Sequence, residues 1–203
     1  MLTSDIAFYY LLSYLIGSIP TGFILFYIVK REDIRTYGSG NTGATNVLRN
    51  QGKLTGILTL VIDLFKGVIP VLYGLLNYSD FPEIIIIAGG LAILGHIVPV
   101  FLKFKGGKGV ATFIGVFMMY SFKSILLFII VFLIVLFYTR FVSLASVAGV
   151  TTVFFYITFT EIVEISIIVF LISIIILGKH RLNFIRIMND NEPKIRRLWC
   201  KDE

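Results

Sequence analysis

The sequence predicts an all-α, polytopic membrane protein with seven transmembrane helices and short re-entrant or interfacial helices at the cytoplasmic side. Apolar residues make up 57% of the 203 residues and charged residues only 15%. The mean hydropathy of +0.93 is far from the balance of a soluble domain. Apolar runs of about 20 residues, each able to cross a hydrocarbon core of about 30 Å, also recur along the chain. The bilayer is therefore the expected solvent, and residues 1–203 are expected to form one membrane domain.

Apolar runs between charge clusters define the seven predicted spans. They are residues 6–29, 55–77, 84–101, 110–121, 123–138, 143–159 and 163–178. The run 110–121 is too short to cross the core unaided, because a helix rises only about 1.5 Å per residue. We expect this run to be either a helix in a locally thinned bilayer or one leg of a re-entrant pair.

The distribution of Lys and Arg predicts the orientation of the spans. With the N-terminus outside, the segments that face the cytoplasm hold 16 of the 18 Lys and Arg residues. These segments are residues 30–54, 102–109, 139–142 and 179–203. Such a bias places the C-terminus in the cytoplasm. The basic tail 179–203 either lies along the anionic inner leaflet or is solvated, and we assign no role to its residues beyond Asn183.

The first cytoplasmic segment combines glycines with small polar side chains and one arginine. Residues 38–49 read Gly-Ser-Gly-Asn-Thr-Gly-Ala-Thr-Asn-Val-Leu-Arg. Glycines allow successive backbone N–H groups to turn toward one anion. A short helix that begins at Ala44 would add the partial positive charge of its N-terminus, and Arg49 could bind a phosphate through two parallel hydrogen bonds. The composition favours a phosphate site over a flexible turn between two spans.

The second cytoplasmic segment is a glycine loop with three lysines. Residues 95–112 read Gly-His-Ile-Val-Pro-Val-Phe-Leu-Lys-Phe-Lys-Gly-Gly-Lys-Gly-Val-Ala-Thr. A nucleotide-binding P-loop is excluded, because Leu102 stands where that motif needs its first glycine and Gly109 stands where it needs Ser or Thr. A basic glycine loop at a membrane surface suits a phosphate or an anionic headgroup instead.

Two further pairs of polar residues stand at the predicted cytoplasmic ends of spans. Ser143 and Ser146 begin the sixth span, and His180 and Asn183 follow the seventh. A spacing of three residues puts both members of each pair on one helix face. Both pairs also have structural interpretations, since Ser packs between membrane helices and a lone interfacial His is usually structural.

The usual catalytic apparatus is missing from the sequence. The two histidines are far apart and no Cys accompanies them, so no metal site is expected. Neither His is followed by an Asp at the spacing that membrane acyltransferases with a His-x4-Asp dyad use. Asp63 and Lys66 lie inside the second span. Charged residues in a span indicate either a functional site or a pair that fixes the position of one helix against another. The chemistry must therefore rest on anion binding, positioning and charge stabilisation.

Together, these motifs resemble those of the bacterial acyl-phosphate:glycerol-3-phosphate acyltransferases, the PlsY family. The similarity runs in order along essentially the whole chain, through the two glycine-rich segments, Ser-Leu-Ala-Ser and His-x-x-Asn. It implies seven transmembrane helices, a site on the cytoplasmic side of the bacterial inner membrane, and transfer of a fatty acyl group from acyl phosphate to the 1-hydroxyl of sn-glycerol 3-phosphate. The products would be lysophosphatidic acid and inorganic phosphate, in the first step of phospholipid synthesis.

The resemblance also implies roles for individual residues. The expected catalytic residues are Ser39, Asn41, Arg49, Lys108, Ser146 and His180. The expected substrate-binding residues are Gly38, Gly40, Thr45, Asn46, Gly106, Gly107, Ser143 and Asn183. The family is thought to use substrate assistance, in which the acyl phosphate helps to take the hydroxyl proton. Apart from the two substrates and membrane lipid, we expect no cofactor, no metal and no nucleic acid.

Two other functions remain open from the sequence. A membrane transporter of a small organophosphate could also use a basic loop above a helix bundle, but it should carry polar groups near the bilayer midplane. A lipid-binding scaffold would not explain the presence of Arg49, Lys108 and the glycine motifs. The clustering of informative residues at one side of the predicted bundle favours acyl transfer.

Overall fold

The computed structural model describes residues 3–195, and the last eight residues of the predicted basic tail lie outside this range. The described chain contains helices and turns, which confirms the all-α prediction. Its ten α-helices are α1 Thr3–Ser18, α2 Thr21–Lys30, α3 Ala44–Gln51, α4 Lys53–Asn77, α5 Pro82–Ile97, α6 Val110–Tyr120, α7 Phe122–Thr139, α8 Val142–Thr160, α9 Val163–Lys179 and α10 Arg181–Met188.

Each of the seven predicted apolar runs is helical, but the helices differ in their capacity to cross a bilayer. Five helical stretches of the described chain are long and apolar enough to do so, and the bent pair α9 and α10 could be a sixth. Helix α6 has only 11 residues, so it spans about 16 Å. The expectation that the fourth run is short is confirmed. The count of seven crossings stays a prediction.

The first apolar run is broken into α1 and α2 at Ile19 and Pro20. Proline lacks the backbone N–H that an unbroken helix would need at this point. At the break the carbonyl of Ile19 accepts from the N–H of Thr21 at 3.0 Å and from Lys66 Nζ at 2.5 Å. Lys66 also donates to Asp63 Oδ1 at 2.5 Å, and His96 Nδ1 lies 3.7 Å from the same carboxylate oxygen. This buried cluster therefore links α4 and α5 to the break between α1 and α2. It supports the interpretation that Asp63 and Lys66 fix the positions of the helices.

Glycines bring two pairs of helices into backbone contact. A Cβ on Gly17 of α1 or on Gly95 of α5 would collide with a backbone carbonyl of the other helix. The same reciprocal arrangement joins Gly67 of α4 and Gly115 of α6. Small residues at such crossings allow the close approach that holds membrane helices together. The outer face of the bundle is apolar, as shown by exposed Leu76, Phe137 and Phe159, among other residues.

Candidate active site

The polar motifs meet at one end of the bundle, which we call the motif end. It comprises the loop 37–43, helix α3, the loop 103–109, the start of α8, and α10 with the segment that follows it. The loop 103–109 follows α5 and leads into α6, while α8 and α10 begin here after α7 and α9. The sequence motifs are therefore neighbours because the helices that carry them end or begin on the same side.

The loop 37–43 has a fixed shape. Gly38 and Gly40 have φ values of +55° and +70°, a region that glycine adopts without strain. The side chain of Asn46 fills the turn, because its Oδ1 accepts from the Ser39 N–H at 3.1 Å and its Nδ2 donates to the Asn41 carbonyl at 2.8 Å. The side chain of Asn46 therefore stabilises the conformation of the loop. Its direct contact with substrate stays a prediction.

Helix α3 begins at Ala44, as predicted, and carries two predicted site residues on its exposed side. The N–H of Gly43 donates to Asn41 Oδ1 at 2.8 Å, a local turn that leads into the helix. Thr45 and Arg49 are exposed and four residues apart, so they share a face. An Nη of Arg49 donates to the carbonyl of Pro193 at 3.2 Å.

The glycines of the second loop pack against the end of α5. The N–H of Gly107 donates to the carbonyl of His96 at 3.0 Å. A Cβ on Gly106 would overlap that carbonyl, and one on Gly107 would overlap His96 Nε2. The predicted role of these glycines in substrate binding is untested, but their packing explains why larger residues would not fit. This packing places Lys108 at the motif end.

Lys108 joins the second motif to the fourth. Its Nζ donates to Asn183 Oδ1 at 2.6 Å. Burial is the main cause that lowers the pKa of Lys108, to about 8, and the nearby charges of Arg186 and Arg49 lower it further while Glu192 raises it. The ammonium is therefore mostly protonated at neutral pH, close to its titration range.

His180, between α9 and α10, is buried and neutral. Its Nδ1 lies 2.8 Å from the carbonyl of Ile176. Because a carbonyl only accepts, Nδ1 carries the proton, and Nε2 is left as an acceptor. Burial and the neighbouring Lys108 lower the pKa of His180 to about 4. A histidine with this pKa is a weak general base near neutral pH.

The two serines of the third motif have different partners. Ser146 Oγ donates to the carbonyl of Val142 at 2.8 Å, one turn earlier in α8. Ser143 Oγ instead donates to Glu192 Oε1 at 2.7 Å. The structure thus connects Ser143 to the fourth motif through a residue of the C-terminal segment, while the predicted catalytic role of Ser146 has no contact here that tests it.

Glu192 is the residue of this cluster that sequence reasoning missed. No role was assigned from the sequence to residues beyond Asn183, yet Glu192 is 9% exposed and its carboxylate accepts from Asn183 Nδ2 at 2.6 Å and from Arg186 Nε at 2.9 Å. Burial would raise the pKa of Glu192, but the hydrogen bonds from Arg186, Asn183 and Ser143 outweigh burial and lower it. The only sequence signal was an acidic residue within a basic segment.

An open cleft of about 840 Å³ at the motif end joins the first two motifs. Gly40 and Gly106 line it. So do four cationic side chains, Arg35, Lys103, Lys105 and Lys179. A cleft of this charge can attract the anionic headgroup of a lipid or another phosphorylated molecule.

Comparison with known proteins identifies the family. The sequence model described as Glycerol-3-phosphate acyltransferase matches residues 7–190. The chain belongs to the glycerol-3-phosphate acyltransferase family. Among its relatives, the glycerol-3-phosphate acyltransferase of Bacillus subtilis is 42% identical over 194 residues, covering 95% of this chain and 99% of the relative. That of Pelagibacter ubique is 44% identical over 182 residues, covering 90% and 93%.

Solved structures of PlsY, an integral membrane glycerol 3-phosphate acyltransferase, share the fold. The glycerol 3-phosphate form superposes with a TM-score of 0.89 at 35% identity, covering 95% of this chain and 96% of the other. The lysophosphatidic acid form gives 0.84 at 34% identity. The predicted resemblance to the PlsY family is confirmed. This glycerol-3-phosphate acyltransferase is therefore a multi-pass membrane enzyme, and the transporter and scaffold alternatives lose their support.

Proposed function

We propose that the enzyme transfers a fatty acyl group from acyl phosphate to the 1-hydroxyl of sn-glycerol 3-phosphate and releases lysophosphatidic acid and inorganic phosphate. The observation that carries the proposal is the charge arrangement at the motif end. Three cationic side chains lie near the single carboxylate of Glu192, namely Arg49, Lys108 and Arg186. The neighbouring His180 is neutral, so the positive charges of this group exceed its negative charges. Such a surplus suits two phosphorylated substrates, whose charges would complete the balance.

The reaction needs one bond to form and one to break. The hydroxyl oxygen of glycerol 3-phosphate attacks the carbonyl carbon of acyl phosphate, and the bond from that carbon to the phosphate oxygen breaks. His180 is a weak base because its pKa is about 4, so the hydroxyl proton passes to the phosphate of the donor. Positioning of the two phosphates and stabilisation of the oxyanion then supply most of the rate enhancement.

The site residues expected from the sequence fit distinct parts of this scheme. Arg49 and Lys108 bind phosphate oxygens as cations. Ser39, Asn41 and Ser146 are candidates for hydrogen bonds to the oxyanion or to glycerol hydroxyls, because each bears a short polar side chain at the motif end. The remaining predicted substrate-binding residues shape the surrounding loops.

The enzyme would work at the cytoplasmic face of the bacterial inner membrane, with its N-terminus outside and its C-terminus inside. This orientation places the motif end, which is rich in Lys and Arg, in the cytoplasm. There the water-soluble glycerol 3-phosphate has direct access, while the acyl chain of the donor stays in the bilayer. The basic cleft at the motif end would attract the phosphate of the donor or of membrane lipid.

The direct test supplies purified enzyme in detergent or lipid cubic phase with palmitoyl phosphate and glycerol 3-phosphate. We expect phosphate release that requires glycerol 3-phosphate and yields lysophosphatidic acid. Replacement of palmitoyl phosphate by palmitoyl-CoA should give no product. An enzyme that binds glycerol 3-phosphate but releases no phosphate from palmitoyl phosphate would overturn the proposed donor.

Point variants test the two principal cations. Arg49→Ala and Lys108→Ala should each lower kcat/KM by about 100-fold or more while expression and membrane insertion stay normal. Lys123→Ala is the matched control, because Lys123 is an exposed lysine at the start of α7, whereas the other end of that helix leads into the motif end. Activity equal to that of the unmodified enzyme in either site variant would remove that residue from the site.

A further inference from the structure

The segment after α10 crosses the motif end and touches several helices. The carbonyl of Pro193 accepts from Arg49 of α3, and the N–H of Ile195 donates to the carbonyl of Arg140 between α7 and α8 at 3.0 Å. Lys194 Nζ lies 5.2 Å from the centroid of the Phe141 ring. These contacts hold the segment at a fixed place, and the family match ends just before it, at residue 190.

Glu192 is held at the centre of this segment with its carboxylate turned inward. Oε1 accepts from both Ser143 and Asn183, at 2.7 and 2.6 Å. Oε2 accepts from Arg186 at 2.9 Å. One side chain thus links α8 to α10, although the neighbouring residues Asn191, Pro193, Lys194 and Ile195 are exposed.

The hydrogen bonds of Asn183 have a direction that Glu192 imposes. A carboxylate only accepts, so it requires the Nδ2 of Asn183, whereas an ammonium only donates, so Lys108 requires the Oδ1. Both conditions are met by one orientation of the amide. Without the carboxylate only Lys108 would hold the amide, so the side chain of Asn183 could turn away and leave the ammonium without its acceptor.

We propose that Glu192 is a positioning residue of the acyl transfer, which fixes Asn183 and Ser143 so that the ammonium of Lys108 is held toward the substrate phosphate. The inference rests on the proposed function, since it assigns Lys108 to phosphate binding. Glu192 itself touches no reacting atom. Its charge also balances the cations that face Lys108, namely Arg49 from α3 and Arg186 from α10, while His180 between α9 and α10 is neutral.

A double-mutant cycle tests whether Glu192 acts through Asn183. Glu192→Ala should lower kcat/KM for glycerol 3-phosphate by about 10- to 100-fold, the effect of a small misplacement of a binding group. In the Asn183→Ala background the same change should have an effect of less than about threefold, because contacting residues are not additive. Independent, multiplicative losses would show that Glu192 does not position Asn183.

The pH profile separates positioning from mere support of the fold. Glu192→Gln keeps the shape and the one oxygen that can accept from Ser143 and Asn183, but it loses the acceptor for Arg186 and removes the charge that raises the pKa of Lys108. The alkaline limb of kcat/KM should therefore move to lower pH by about one unit, the low end of the shift that a nearby opposite charge produces. Asp190→Asn is the matched control, because Asp190 is exposed, has φ +54° and tolerates Asn. It should leave the limb in place.

The outcomes distinguish this inference from the proposed function. If the unmodified enzyme releases no phosphate from palmitoyl phosphate, the proposed function is wrong, and the role of Glu192 that rests on it is wrong too. If that enzyme is active but the limb of Glu192→Gln coincides with that of Asp190→Asn, only the inference is wrong. Failure of Glu192→Gln to fold, judged by gel filtration in detergent, would also overturn it, because the side chain would then be a structural support.

Discussion

Titration of Lys108 should govern activity at alkaline pH. The pKa of this lysine is lowered to about 8, mainly by burial, so the cation that binds phosphate in the proposed function disappears well below the usual range for lysine. The substrate phosphates do not change charge there, because their second pKa is near 6. We therefore expect kcat/KM for glycerol 3-phosphate to fall as the pH rises above 8.

The size of the effect follows from the pKa. A group with a pKa of 8 is about 90% protonated at pH 7, about 10% at pH 9 and about 1% at pH 10. If only the protonated form binds phosphate, kcat/KM should fall by about tenfold from pH 7 to pH 9 and by about 100-fold at pH 10. The direction of the change follows from the chemistry of lysine, which loses its positive charge as the pH rises through its pKa.

The assay measures initial rates of phosphate release from palmitoyl phosphate between pH 6 and pH 10, with a blank lacking enzyme at each pH to subtract spontaneous hydrolysis. Lys108→Arg is the diagnostic variant, because its guanidinium stays charged throughout this range. Its maximal rate should be lower, since the planar group fits Asn183 differently, but its profile, normalised to its own maximum, should lose the alkaline limb. A limb near pH 8 that persists in Lys108→Arg would refute the assignment of this pKa to Lys108.

Three further substitutions test the packing that supports the site. Gly107→Ala would place a methyl group against the ring of His96, so kcat/KM should fall by about 10- to 100-fold through displacement of the loop, as measured in the phosphate-release assay. Gly115→Ala should lower stability in a thermal unfolding scan by about 1–3 kcal/mol, whereas Gly178→Ala, where nothing lies within 4 Å of an added Cβ, should be neutral or stabilising. Asp63→Asn should cost about 3–5 kcal/mol in the same scan, because it leaves a buried ammonium without its counter-charge; an unchanged unfolding temperature would show that the pair does not hold the helices.

The sequence predicted the grouping of the motifs because each motif adjoins an end of an apolar run. Helices that cross a bilayer in sequence bring alternate ends to the same side, so Lys108 and Asn183 could be expected on the same side of the membrane. The structure gives their separation, 2.6 Å between Nζ and Oδ1. The beginning of α3 at Ala44 followed equally from local residue types.

What the sequence did not reveal depends on contacts between distant residues. The pairing of Glu192 with Ser143 joins positions 49 residues apart, and no local period signals it. The glycines at 106 and 107 were interpreted as part of a loop that suits a phosphate or an anionic headgroup, but their need for space comes from His96. The break before Pro20 had a local signal, since proline interrupts a helix, yet the apolar composition of the run 6–29 concealed it.

The charge balance at the motif end connects binding to protonation. Burial lowers the pKa of Lys108 and Glu192 raises it. The resulting pKa is close enough to neutral pH that a change in the surroundings of the lysine alters its charge. A phosphate at this place favours the protonated lysine and raises its pKa, and linkage then requires that substrate binding takes up a proton above pH 8. Release of inorganic phosphate returns that proton. In the proposed reaction, Glu192 would thus help to set the pH range over which the site can both hold a phosphate and release it, which a permanently charged cation at position 108 would not do.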